Sequence, residues 1–190
     1  MRMHPTRPKC SMNNAKYANT NEYSASHNAG AYDVAICGGG AAGMAAAIRL
    51  GMLRPGLRVV IIEKNDELGR KVRATGNGRC NITNTAADGY MECLEFFRKI
   101  GLALRQYDNG LVYPYSESAA DVVDLFADKM NDYGVELMLG SNITDIEKGA
   151  DGRFKVTGET SPKQGVSAAS AGSSFTIQAD NVIIATGGKS

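Results

Sequence analysis

From residue 32 onward, apolar and polar positions fall into blocks with clear periods. Asp33-Val-Ala-Ile-Cys37 is a short apolar strand that runs into Gly38-Gly39-Gly40. Residues 41–53 are small and apolar at helical spacing, and Pro55-Gly56 stops them. Arg58-Val-Val-Ile-Ile-Glu63 is apolar on consecutive positions, as a parallel strand covered on both faces requires. Strand, tight turn, helix and strand within about 30 residues make a βαβ unit. Residues 64–90 read as loop, 91–104 as helix and 106–116 as an extended aromatic stretch. Over residues 116–133, apolar side chains recur at Ala119, Val122, Val123, Phe126 and Met130, an amphipathic helix closed by Gly134. Val135-Glu-Leu-Met-Leu139 predicts a third strand, 143–148 with 154–157 a hairpin around Asp151-Gly152, and 175–178 and 181–185 two last strands. The pattern is that of an α/β domain with a parallel sheet and a small antiparallel meander.

Residues 1–30 are rich in Asn, Ser, Ala and Tyr without periodicity. They read as a disordered tail, with a faint transit-peptide character from basic residues and a single acid, Glu22. Residues 160–174, rich in Ser, Ala and Gly, read as a flexible insertion between strands. The remaining 31–190 form one domain. Its final strand is followed only by Thr186-Gly-Gly-Lys-Ser190, so the helix that should cover the sheet is missing and the domain is expected to be incomplete at its C-terminal end.

Charge and cysteine usage remove several function classes. With 21 Lys+Arg against 20 Asp+Glu, the net charge is +1, which argues against a nucleic-acid binder. The longest uncharged stretch, residues 34–48, is broken by glycines and too short to cross about 30 Å of hydrocarbon. A location in the cytoplasm, away from membranes, is the resulting expectation. The cysteines at 10, 37, 80 and 93 form no CxxC pair, and His4 and His27 both lie in the tail. No metal site and no histidine triad is therefore expected.

Two stretches carry candidate chemistry. In Gly38-x-Gly40-x-x-Gly43, the first glycine permits a tight turn, the second clears room for a pyrophosphate, and the third lets helix and strand approach. The helix N-terminus then offers free N–H groups and a positive dipole end to phosphate. Glu63, at the end of the second strand, suits a ribose hydroxyl and repels a 2′-phosphate, favouring FAD or NAD over NADP. The second stretch, residues 68–81, interleaves Arg70, Lys71, Arg73 and Arg79 with Gly69, Gly76 and Gly78 and with Asn77 and Asn81. From the residues alone it is either a cradle for an anionic ligand or a solvated charge run.

The strings Asp33-Val-Ala-Ile-Cys-Gly-Gly-Gly-Ala-Ala-Gly-Met, Glu63-Lys-Asn-Asp-Glu-Leu-Gly-Arg-Lys71 and Thr75-Gly-Asn-Gly-Arg-Cys-Asn81 closely resemble a bacterial flavoprotein family. That family includes aminoacetone oxidases and proposed bile-acid dehydro-reductases. Tyr113-Pro-Tyr-Ser116 and Ala185-Thr-Gly-Gly-Lys-Ser190 look like its later motifs, and its members are roughly twice as long. The resemblance implies a Rossmann-like, two-dinucleotide-type fold holding noncovalent FAD and an oxidoreductase acting on a small molecule, with NAD(P)H a possible electron donor. Gly38, Gly40, Ala41 and Ala42 would then meet the pyrophosphate, Gly43 would belong to the same cofactor-binding turn, and Glu63, with Lys64 beside it, would meet the ribose. Arg70, Lys71 and the loop Thr75, Gly76, Asn77, Gly78, Arg79, Cys80 and Asn81 would wrap phosphate and flavin. The backbone of Ile143 would bracket adenine, and Ala185, Thr186 and Gly187 would line the cofactor. The alternative function is a nucleotide-binding module, for NAD or FAD, without turnover, or an inactive truncated product. Cys80 suits flavin packing better than thiol catalysis, although Arg79 beside it could depress its pKa. Tyr113 and Tyr115 suit core or wall positions, and Gly188-Lys189-Ser190 lacks the first glycine of a phosphate loop.

Overall fold

The computed structural model describes residues 31–161 and 173–188; the tail at 1–30 and most of the 160–174 insertion lie outside them. The elements follow as β1 (Tyr32–Cys37), α1 (Ala41–Leu53), β2 (Val59–Ile62), α2 (Arg70–Ala74), a 3-10 turn (Thr75–Gly78), β3 (Thr83–Asn84), α3 (Tyr90–Lys99), β4 (Leu104–Gln106), β5 (Leu111–Pro114), α4 (Ala119–Asp132), β6 (Glu136–Met138), β7 (Ser141–Lys148), β8 (Phe154–Thr160) and β9 (Ser174–Ile184).

Six strands form one sheet in the order β6-β2-β1-β9-β8-β7, and β3-β5-β4 form a second, antiparallel one. β1 lies parallel to β2, with Val34 opposite Val59 and Cys37 opposite Ile62, and parallel to β9, with Cys37 opposite Ile184. The apolar runs read from the sequence are buried on both faces. On one face Val34, Ile36, Val59 and Ile61 pack with Met44 and Ile48 of α1 and with Val123, Phe126 and Met130 of α4. On the other, Ala35, Val60 and Ile62 pack with Val156 and Ile177 of the antiparallel strands. Each such aliphatic side chain contributes about 1.5–3 kcal/mol on burial, so the parallel core needs both covers.

Small residues bring α1 close. A Cβ on Gly43 would stand 1.9 Å from the Gly38 carbonyl oxygen, and one on Gly51 would stand 2.3 Å from the Tyr133 ring. At the far end of α4, Ser118 caps the helix by accepting from the Asp121 N–H.

Three local readings are corrected. The loop expected over 64–90 contains α2, which is held by burial of Leu68 and Val72 four residues apart; so short a helix forms only through such tertiary anchoring. Helix α3 ends at Lys99 rather than 104, because Gly101 at φ 90° turns the chain into β4. The two strands expected at 175–178 and 181–185 are one strand, β9. Ala179 is fully buried and pairs with Phe154 on one side and Tyr32 on the other, so the parallel sheet and the meander share it. Among the described residues no helix is long and apolar enough to cross a membrane.

Candidate functional site

The carboxyl ends of β1, β2 and β9 open into a cavity of about 1230 Å³. Strand order reverses around β1, the position at which open α/β sheets bind ligands. The turn after β1 is built by backbone contacts. Gly38 N–H donates to the Ile62 carbonyl at 2.8 Å, and Gly69 N–H donates to the Gly39 carbonyl at 2.9 Å. Gly38 stands at φ 113°, and a Cβ there would lie 2.5 Å from the Ala185 carbonyl oxygen. It is therefore glycine both for the turn and for the approach of the chain after β9. A Cβ on Gly40 would meet nothing within 4 Å; it would stand in the open cavity. The first N–H groups of α1, from Ala41 on, lack partners within the helix and lie at this wall.

Glu63 closes the back of the site and is 8% exposed. Its Oε2 accepts from Gly39 N–H at 2.6 Å, while Oε1 accepts from the Asn65 backbone N–H at 2.9 Å and from the Asn65 side-chain amide. A carboxylate offers about four lone-pair positions, so three protein donors leave one for a ligand hydroxyl. Asn65 also accepts from Arg70 Nη1 at 3.3 Å, which ties the base of α2 to the acid. The sequence reading overlooked Asn65 and Gly39. The available signal was an amide side chain two residues beyond a strand-end acid.

The start of β7 comes beside Glu63, because Ser141 N–H donates to the Glu63 carbonyl at 2.9 Å and Gly140 N–H to that of Asn65 at 2.8 Å. This brings Ile143 into the lining with Ser141 and Asn142. On the opposite side, α2 brings Arg70 and Lys71, and Lys71 Nζ donates to the Gly188 carbonyl at 3.3 Å. Ala185, Thr186 and Gly187 line the same cavity, as do Lys64, Thr75, Cys80 and Asn81. An apolar end, overlooked in the sequence, is lined by Phe97, Val122 and Phe126.

Five of the residues expected at the ligand are not in the lining. Gly43 lies buried behind the turn, where it lets α1 meet β1. Gly76, Asn77 and Gly78 belong to the outer 3-10 turn, and Arg79 packs its guanidinium over the Tyr113 ring, 4.7 Å from the centroid. Tyr113 is buried, as read, whereas Tyr115 is 64% exposed and forms neither core nor cavity wall. The thiol of Cys80 is pushed up by burial, and a hydrogen bond with Thr75 opposes this only in part. Depression by Arg79 does not occur, because the guanidinium points to Tyr113. Among the described residues, no group of three or more His, Cys, Asp or Glu side chains is placed to hold a metal.

Residues 32–91 match the Rossmann domain of HI0933-like proteins. The likeness to the HI0933-like family is carried by that domain. It is 32% identical over 176 residues to the 3-dehydro-bile acid delta(4,6)-reductase of Clostridium scindens, covering 82% of this chain and 39% of that protein. It is 27% identical over 178 residues to the ribosomal RNA dihydrouridine synthase of Escherichia coli, covering 84% and 40%. The chain thus spans about two-fifths of the length of the curated HI0933-like relatives it matches. Among solved structures, Thermovibrio ammonificans THI4 shares the fold with a TM-score of 0.60 at 22% identity, covering 82% of this chain and 57% of that one. A flavoprotein/dehydrogenase from Cytophaga hutchinsonii aligns with a TM-score of 0.50 at 20% identity, over 83% and 40%.

Proposed function

We propose that this chain is the FAD-binding part of a flavin-dependent oxidoreductase. The observation that carries the reading is that one cavity joins four separate elements: the open face of Gly40 with the α1 N-terminus, the carboxylate of Glu63, the cations of α2 and the chain after β9. The α1 amides suit a pyrophosphate, and the remaining acceptor position on Glu63 suits an adenosine ribose. The backbone at Ile143 suits adenine. Thr75, Cys80, Asn81 and residues 185–187 would face the flavin end, with Arg70 and Lys71 supplying positive charge beside it. The buried Glu63 carboxylate, held by Gly39 and Asn65, would repel a 2′-phosphate, which disfavours NADP.

When bound, FAD supplies the hydride chemistry, and the protein supplies binding, orientation and electrostatics. The names of the relatives, a reductase and a dihydrouridine synthase, favour a redox reaction over a silent nucleotide module. A small-molecule substrate fits the net charge of +1 better than RNA does. NAD(P)H as electron donor completes the proposal. Titration of the purified chain with FAD, NAD and NADP tests it. Saturable quenching of flavin fluorescence is expected, with a flavin absorption band near about 450 nm retained on desalting. Binding of NAD with no binding of FAD would overturn the flavin reading in favour of the nucleotide module.

A further inference from the structure

Among the described residues, the non-glycine positions with left-handed backbone are Asn77 (φ 54°), Cys80 (φ 61°) and Glu117 (φ 50°). Asn77 and Cys80 lie on one loop, and Glu117, distant in sequence, meets that loop through Arg79. Arg79 Nη1 lies 3.7 Å from Glu117 Oε2, and its guanidinium stacks over Tyr113. The Tyr107 hydroxyl donates to Glu117 Oε1, and the Tyr107 ring meets Tyr113 edge-on at 5.6 Å. On the loop itself, Arg79 N–H donates to the Gly76 carbonyl at 3.1 Å and Cys80 N–H to that of Thr75 at 3.2 Å. A Cβ on Gly76 would come 3.3 Å from Tyr113 Cε1, so the loop lies close against that ring. Left-handed residues of this kind persist where the surroundings over-determine them, and they concentrate at ligand clamps.

We propose that Arg79, Tyr113, Glu117 and Tyr107 form a buckle on the outer side of loop 75–81, which positions its inner residues Thr75, Cys80 and Asn81 against the flavin. Arg79 is then a positioning residue and not a phosphate ligand. The flavin half of this proposal rests on the FAD reading above; the clamping of Cys80 does not. Side chains of Arg79 and Glu117 are 47% and 34% exposed, and ion pairs so exposed contribute little to global stability. Breaking the buckle should therefore loosen the loop while the sheet stays intact.

Cys80 reports on the loop directly, because its side chain is buried at 6% exposure. Wild type, Arg79→Ala, Arg79→Lys and Glu117→Gln are treated with iodoacetamide without FAD, and labelling of Cys80 is followed by peptide mass spectrometry. Arg79→Ala and Glu117→Gln should label about fivefold faster or more through local opening, with thermal unfolding nearly unchanged. Arg79→Lys keeps the charge but loses the planar stack and should fall between. In parallel, FAD affinity should weaken about threefold to tenfold in the two loosened variants. Labelling at the wild-type rate in both would overturn the buckle. Faster labelling with undiminished FAD affinity would overturn its role toward the flavin. If wild type binds no FAD, the flavin reading and the flavin half fall together, while the labelling rates still decide the clamp.

Discussion

Gly40 caps α1 with φ −78° and ψ −173°, extended backbone that alanine adopts without strain. A Cβ placed there meets no protein atom within 4 Å and projects into the cavity. Gly40→Ala therefore separates the fold from the site. For the fold, two small effects oppose each other. Restricting the unfolded chain stabilises by about 0.4–1 kcal/mol, whereas alanine is a poorer helix cap than glycine by roughly 0.5–1 kcal/mol. The net change should stay within about 0.5 kcal/mol, a shift of less than about 2 °C in a domain of this size. For the site, a methyl group stands where the pyrophosphate should approach the α1 amides. Pushing the anion off one charge-assisted hydrogen bond costs about 1.5–3 kcal/mol, which is roughly a 10- to 150-fold loss of FAD affinity. The assay pairs a fluorescence titration with FAD and a thermal melt of the apo-protein. FAD binding at wild-type strength would refute the placement of phosphate at this helix terminus. A large drop in melting temperature would refute the inference that Gly40 faces open space.

Gly43→Ala should do the reverse. Its Cβ would collide with a backbone oxygen that cannot swing aside, so a thermal melt should show a loss of about 1–3 kcal/mol, several degrees, before any ligand is added. Glu63→Ala should weaken FAD binding by about 1–3 kcal/mol and also lower the melt, because the buried Gly39 N–H loses its acceptor; an unchanged dissociation constant would place the ribose elsewhere. Burial raises the thiol pKa of Cys37, Cys80 and Cys93 above the ordinary range. The folded state thus holds these protons more tightly than the unfolded one. Their contribution is complete below the ordinary thiol pKa of about 8.5 and is lost as pH rises through the higher folded values. A urea titration should show stability falling above about pH 8.5, less so once all three cysteines are replaced by alanine or serine.

The βαβ unit was legible from sequence because its signals are local. Consecutive apolar positions in 33–37 and 58–63 mark doubly covered strands, and the glycines at 38, 40 and 43 have steric reasons that act within one turn. Glu63 could be placed at the site for the same reason, since the strand that carries it ends there. The basic loop was different. Charge and glycine content at 68–81 do not say which cations face a ligand, and the fold divides them: Arg70 and Lys71 line the cavity, while Arg79 turns outward to Tyr113 and Glu117. That division depends on Tyr113 of β5 and Glu117 in the turn before α4, some 35 residues away in sequence, and no periodicity records it. The single strand β9 was also beyond local reading. Ala179-Asp180 looks like a break, yet Ala179 is held by partners on both sides and Asp180 pairs with Arg153 at 3.1 Å. Sequence determined the strands and helix of the βαβ unit, the amphipathic helix α4 and where a phosphate could approach. Tertiary packing decided which charged groups share the cavity, because only contacts between distant segments fix the direction in which a long side chain points.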